Sequence, residues 1–291
     1  MAAEDNSTVT LSGIGSPVVS GLQYRTNSNT TWTDYTINTP ITLENTDDYV
    51  QFKNNSNQLS KSSSNNYAQF VMSGKIKASG NIQSMLNYSN SCTNYCYYNL
   101  FRNCSSLISA PTLPAITLAT NCYGNMFIGC ISLSSAPALP ATTLDTYCYN
   151  GMFRGCTSLS SAPTLPATTL AARCYKDMFR GCTSLKTAPA LPATTLASNC
   201  YAAMFSGCTS LRSAPTLPAT TLTQSCYTSM FTACTSLSSV NVAFTNWNSS
   251  ITPTNDWLSN VASSGIFTKP TSLEPLSGVS NIPNNWTVIN K

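Results

Sequence analysis

Cys174-Tyr175-Lys176-Asp177-Met178-Phe179-Arg180-Gly181-Cys182-Thr183-Ser184-Leu185, continued by Lys186-Thr187-Ala188-Pro189-Ala190-Leu191-Pro192-Ala193-Thr194-Thr195-Leu196, is one copy of a unit that the chain repeats six times, the last copy incomplete. Cys96, Cys122, Cys148, Cys174, Cys200 and Cys226 stand 26 residues apart, and Cys104, Cys130, Cys156, Cys182, Cys208 and Cys234 each follow by eight, so that twelve of the 13 cysteines keep phase. A fixed period of this size marks stacked repeats, in which each unit is one supersecondary element that cannot bury its apolar face alone.

Within the unit, Tyr175, Met178, Phe179 and Cys182 fall at i, i+3, i+4 and i+7, the spacing of one face of a short helix of about two turns. Gly129, Gly155, Gly181 and Gly207 precede the second cysteine, where a left-handed helix end favours glycine. Asn103 suits that role and Ala233 does not, which marks the last unit as a modified, capping repeat. The Leu-x-x-Ala-Pro-x-Leu-Pro segment that follows is extended: Pro189 and Pro192 forbid helix and cannot donate to a sheet ladder. Regular pairing is therefore expected around Leu-x-x-Ala, with polyproline-like backbone beyond it. A lone unit buries roughly eight apolar side chains at about 1.5–3 kcal/mol each, while ordering costs about 1.5 kcal/mol per residue. Only stacking, which buries both flanks of every coil, reverses that balance.

The Met-Phe-x-Gly-Cys-Thr-Ser-Leu core followed by a Leu-Pro segment resembles the BspA-like leucine-rich repeats of bacterial and bacteriophage surface proteins. The resemblance covers about residues 80–240 and departs from the common form in its 26-residue length and its prolines. It implies an adhesion or receptor-contacting role in a family without common catalytic residues. The expected fold is thus an α/β solenoid, a leucine-rich-repeat stack of coils each holding a short strand and a short helix.

Outside the repeats the period changes. Val9-Thr10-Leu11, Leu22-Gln23-Tyr24, Tyr35-Thr36-Ile37, Tyr49 to Phe52 and Phe70-Val71-Met72 alternate like strands between Asn and Ser clusters, predicting a small antiparallel β-sandwich-like domain over residues 1–79. The solenoid is assigned to 80–240 and a C-terminal cap to 241–291, with a short helix after Pro253 running through Trp257 and Val261 and ending near Gly265. Trp247, Trp257 and Trp286 belong to that cap, or alternatively form a sugar platform, since aromatic faces stack on sugar rings.

Composition narrows the function. Only 8% of residues are charged, the net charge is +4 and there are no basic runs, which disfavours nucleic acid. Histidine is absent, removing the commonest general base and zinc ligand. The polar start Met1-Ala-Ala-Glu-Asp-Asn shows no export signal, and no apolar run spans a bilayer, so membrane insertion is not expected. Cys-x7-Cys is not the tight spacing of zinc sites, and the cysteines are expected as buried free thiols, as suits assembly in a reducing cytosol. Neither cofactor nor metal is expected.

Arg102, Arg154 and Arg180 share one phase, and Arg173, Lys176, Lys186 and Arg212 add charge, against only Asp145 and Asp177 in the repeats. These seven cations are the candidate ligand-binding stripe for an anionic glycan or surface; a solvated outer face is the plainer reading. Thr117, Thr143, Thr169, Thr195 and Thr221 form an in-phase ladder, as do Ser106, Ser132, Ser158, Ser184, Ser210 and Ser236; they either bind ice or glycan or, as expected here, satisfy backbone groups at coil corners. Asp145 and Asp177 occupy different phases and do not form the carboxylate pair that a polysaccharide-cleaving enzyme needs. Asp34, Glu44, Asp47 and Asp48 have no spacing that compels a calcium site.

The expected function is a non-enzymatic, surface-exposed adhesion or attachment protein, a bacteriophage virion component contacting host glycan or protein. Its N-terminal domain would contact other virion or surface proteins, and homo-oligomers are compatible with the sequence. A structural decoration protein of a virion and a bacterial cell-surface adhesin are the alternatives.

Overall fold

The computed structural model describes residues 1–17, 21–56, 59, 63–88 and 91–291. Six strands, β1 (Ser7–Ile14), β2 (Leu22–Thr26), β3 (Thr33–Asp34), β4 (Ile41–Leu43), β5 (Val50–Asn54) and β6 (Tyr67–Ser73), make two antiparallel three-stranded sheets ordered β4-β1-β6 and β3-β2-β5. Alternation works as strand geometry demands: Val9 and Leu11 of β1 point inward. An edge-to-face chain of rings, Tyr24–Tyr35–Phe52–Phe70, joins the two sheets, with centroids 5.7, 5.3 and 5.4 Å apart. The strand expected at 35–37 lies instead at Thr33–Asp34, because the chain turns after Tyr35, with Asn38 left-handed at φ 69° and the Thr39 amide donating to Thr36 at 3.2 Å; the Tyr35 hydroxyl accepts from the Leu11 amide in the core at 3.0 Å. Strand β4 has only three residues, of which Leu43 alone is buried, too short to show an alternating pattern in the sequence.

In the repeats the expected helix is absent. Among the described residues there is no α-helix, only the 3-10 turns Ile82–Leu86 and Ser249–Ile251, so the α/β class and the strand-plus-helix coil are corrected. The segment from Tyr147 to Cys156 shows what replaces it. Amides of Tyr149, Gly151, Phe153 and Gly155 donate to carbonyls of Cys174, Lys176, Met178 and Arg180 in the next coil, at 3.0, 2.8, 2.9 and 2.8 Å. The alternate amides, of Asn150, Met152, Arg154 and Cys156, close turns onto residues three earlier. The backbone is thus a ribbon of consecutive turns in which every donor is used, half within the coil and half between coils.

The reason is a left-handed residue at every fourth position: Arg173, Asp177 and Gly181 have φ of 58°, 56° and 73°. Such residues cannot be continued into an α-helix. A four-residue turn period also places Tyr175, Met178, Phe179 and Cys182 on one side, so the i, i+3, i+4, i+7 pattern fits both structures over so short a span. A Cβ on Gly181 would stand 3.8 Å from Gly155, ordinary contact, so glycine serves here for its φ and not for space. Ala233 adopts the same conformation, φ 60°, and does not interrupt the ribbon.

Residues 26 apart lie over one another. Tyr97, Tyr123, Tyr149, Tyr175, Tyr201 and Tyr227 form one ring column at 5.5–6.0 Å, and Phe101, Phe127, Phe153, Phe179, Phe205 and Phe231 form another at 5.3–5.7 Å. The in-phase cysteines and the Met or Leu of each unit are buried beside them. On the proline side, regular pairing survives only at the ends. Strand β7 (Ile76–Lys77) pairs in parallel with β8 (Leu107–Ser109), and β9 (Ser239–Asn241) with β10 (Gly265–Lys269), which also pairs with β11 (Trp286–Asn290). Between them only isolated bridges such as Ser161 to Thr187 remain.

Both ends of the stack are closed by flanking segments. At the N-terminal end Phe70 of β6 donates its amide to Leu100 at 2.7 Å and stacks its ring 5.1 Å from Phe101, so one strand serves both the sandwich and the first coil. At the C-terminal end the expected helix after Pro253 is another turn ribbon, with left-handed Thr252, Asp256 and Asn260 accounting for its failure to be helical. Phe231 donates to Trp257 at 2.9 Å. Hydrogen bonding between coils therefore runs from Phe70 to Trp257, across both borders drawn from the sequence, 79/80 and 240/241.

Candidate binding surfaces

On the turn ribbon the inward positions are almost invariant from coil to coil and the outward ones are not. One outward position holds Tyr98, Gly124, Asn150, Lys176, Ala202 and Thr228; another, four residues on, holds Arg102, Ile128, Arg154, Arg180, Ser206 and Thr232. The candidate cations divide between two sides of the coil. Arg102, Arg154, Arg173, Lys176 and Arg180 lie on the turn ribbon, whereas Lys186 and Arg212 stand together at the start of the extended segment. Arg154 and Arg180 are neighbours on adjacent coils, and Ile128 separates them from Arg102. Two of the five ribbon cations are engaged already: Arg180 pairs with Asp177 at 3.2 Å, and the Arg173 guanidinium lies 5.2 Å from the Tyr147 ring. The seven do not form one continuous stripe.

The tryptophan platform is overturned. Trp247, Trp257 and Trp286 are buried, and their indole N–H groups donate to carbonyls of Glu274, Asn281 and Ala262 at 2.7, 2.8 and 2.9 Å, so they are the core of the cap. The hydroxyl expectation is also corrected. Among the described residues, neither the threonine ladder from Thr117 to Thr221 nor the serine ladder from Ser106 to Ser236 has a side-chain hydrogen bond within the chain; other threonines do that work, such as Thr223 donating to Ala197 at 3.1 Å. The ladder threonines face solvent.

The carboxylates are structural. Asp145 accepts from Thr120 and from the Thr146 amide, Asp34 from Gln23, and Asp48 from Asn27 and the Asn45 amide. Hydrogen bonds, that from the Asn45 amide foremost, hold the Asp48 carboxyl below its ordinary range. Among the described residues no three His, Cys, Asp or Glu side chains are grouped to hold a metal ion. All 13 cysteines are free thiols. Cys104, Cys130, Cys156, Cys182, Cys208 and Cys234 donate Sγ–H to a Phe carbonyl of the preceding layer at 3.0–3.1 Å. Burial pushes Cys104, Cys148 and Cys234 up to about 12, which keeps these thiols protonated and unreactive at neutral pH. Cys92, out of phase and half-buried, differs: hydrogen bonds from Cys122 and Cys96 pull its thiol down.

A cleft that sequence reasoning missed opens where the sandwich meets the first coil, with a volume of about 630 Å³. Its floor is apolar, including Phe52, Phe70, Met72 and Met85, and its rim carries Trp32, Arg25, Gln51, Lys77 and Tyr88. Arg25 and Lys53 lie 4.8 and 4.6 Å from the Trp32 ring centroid. The available signal was a tryptophan in the polar connection after β2, with one cation on each of the paired strands β2 and β5, Arg25 and Lys53.

No protein-family model, curated protein or solved structure matches the chain.

Proposed function

We propose that the chain is a non-enzymatic attachment protein, a leucine-rich-repeat-like solenoid displayed on the exterior of a bacteriophage virion and contacting host-surface glycan or protein. The observation that carries this reading is the division of variation within the repeat. Six coils keep Cys, Tyr and Phe inward in fixed register, while on the turn ribbon the outward position of Lys176 holds a different residue in every coil and that of Arg180 changes chemistry at three of its five steps. A rigid frame with one varied face, the outward positions of the turn ribbon, suits recognition, where specificity resides in side chains held on fixed elements. The resemblance of the unit to BspA-like surface repeats supports the same role. Thirteen free thiols suit folding in a reducing cytosol, where virion components are made.

A structural role within an assembly is the second reading, and the C-terminal sheet favours it. Its edge strand β11 exposes Val288 and Ile289, with Ile266 of β10 also exposed, and an open apolar edge is a template for pairing with another chain. Binding of the fluorescently labelled chain to intact candidate host bacteria, with and without enzymatic stripping of surface polysaccharide, tests between them. Saturable binding lost on stripping supports attachment to glycan; no binding at any concentration retires attachment in favour of the structural reading.

A further inference from the structure

We propose that the cleft between the β-sandwich and the first coil binds a carboxylated sugar unit, with Trp32 and Tyr88 stacking on the pyranose and Arg25 and Lys77 receiving the carboxylate. The cleft volume of about 630 Å³ falls within the range of small-ligand sites, which combine apolar walls with a few convergent polar groups. Its rim supplies the two chemistries that an acidic sugar presents. Half-exposed Trp32 and the Tyr88 ring, 63% exposed, offer faces for the apolar side of a sugar ring. Asn87 and Tyr88 are consecutive non-glycine residues in left-handed backbone, φ 51° and 54°, a conformation that costs a bulky residue energy and here carries the tyrosine at the mouth of the cleft.

Charge selects the anion. Among the described residues no carboxylate lines the cleft, whereas Arg25 and Lys77 do. Among the described residues neither cation has an ion-pair partner. The Arg25 Nε donates to Gln51 Oε1 at 2.6 Å, which fixes the guanidinium and leaves its two terminal nitrogens without a partner among the described residues. Lys53, held over the same Trp32 ring, adds a third positive charge nearby. A fixed guanidinium with a free fork of donors is suited to a carboxylate, and charge-assisted hydrogen bonds are the strong ones. The Gln51 amide nitrogen and the Ser79 hydroxyl provide neutral groups for sugar hydroxyls, while Asn81 and Ser84 are held by hydrogen bonds to Gln83 and to the Phe52 carbonyl.

This inference rests on the attachment reading only for the source of the sugar, and it is tested without cells. The whole chain is titrated calorimetrically with uronic-acid tetrasaccharides (galacturonate, glucuronate and mannuronate types), with their carboxyl-reduced counterparts, and with decanoate. At least one carboxylated tetrasaccharide is expected to bind, with its reduced form weaker by about tenfold. The double variant Arg25→Gln, Lys77→Gln should remove that preference, and Trp32→Ala should remove binding of both forms; near-ultraviolet circular dichroism checks that each variant is folded. Binding unchanged in the folded double variant, binding of decanoate alone, or binding of none of the probes overturns the cleft. Cells that bind wild type and double variant equally would sink the cleft and leave attachment standing. Oligosaccharide binding through Arg25 and Lys77 without any cell binding would do the reverse.

Discussion

The Sγ of Cys182 lies 3.1 Å from the carbonyl oxygen of Phe153 in the preceding coil and donates its proton there. That carbonyl also accepts the Cys156 amide within its own turn, so the thiol occupies the oxygen's second site. Cysteine thus combines small apolar volume with a weak donor aimed between layers, which accounts for its recurrence at this position in all six units. Cys182→Ala is expected to cost about 1–2 kcal/mol, from the lost hydrogen bond and the void left by the sulfur. A lowered thermal midpoint checks it, and an unchanged midpoint would show that the sulfur only fills space.

Ala203 provides a test of the ribbon by sign. Its φ is 53°, and Gly151 holds the same position two coils earlier with φ 60°. Glycine enters this region without the strain an L side chain suffers, so Ala203→Gly is expected to leave stability unchanged or raise it by up to about 1 kcal/mol. In an α-helix the same change would cost about 0.5–1 kcal/mol. A fall in the urea midpoint would restore the helix.

That substitution also marks where the sequence stopped being legible. The inward set was readable because Cys, Tyr and Phe recur at a spacing that only stacking explains. The turn ribbon was not, because eight residues cannot separate a period of 4.0 from one of 3.6. The discriminating signal lay in the residues between. Asn99, Asn125, Gly151 and Asp177 share one phase, and Asn103, Gly129, Gly155 and Gly181 share another four residues later, all types that tolerate left-handed backbone. Two such positions per unit are incompatible with a helix that ends once. The cleft was hidden for a different reason: Arg25, Trp32 and Lys77 come from a hairpin and from the strand beneath the first coil, and only the tertiary docking of sandwich on stack brings them to one rim.

Alkaline pH should loosen the stack. Burial raises Cys104, Cys148 and Cys234 from an ordinary 9.0 to about 12. A raised folded value means that the unfolded chain loses these protons first, so their contribution is complete below pH about 9 and declines as pH rises toward about 12. Each such thiol steepens the decline by about 1.4 kcal/mol per pH unit within that window. Urea midpoints should therefore hold steady from neutral pH to about 8.5 and drop sharply by about 10. Cys234→Ala should make the drop shallower. A midpoint that stays flat through this range would mean the thiols are not buried as described.

Trp257 tests how far stability travels along the coils. The indole is fully buried, 6.2 Å from the Tyr227 ring and 6.5 Å from that of Phe231, and so closes both ring columns with a single side chain while donating to Asn281. Replacing it with alanine is expected to cost about 3–5 kcal/mol locally. In a stack held by neighbour-to-neighbour interfaces that loss should fray the end and not melt the whole. Hydrogen exchange then separates the outcomes. In Trp257→Ala the amides of Tyr227, Ser229 and Phe231, which bond to the capping ribbon, should lose protection, while those of Tyr149 and Phe153 in mid-stack keep theirs. Equal loss at both places would mean that the six coils and their cap unfold as one cooperative unit, with the C-terminal tryptophan setting the stability of the entire column.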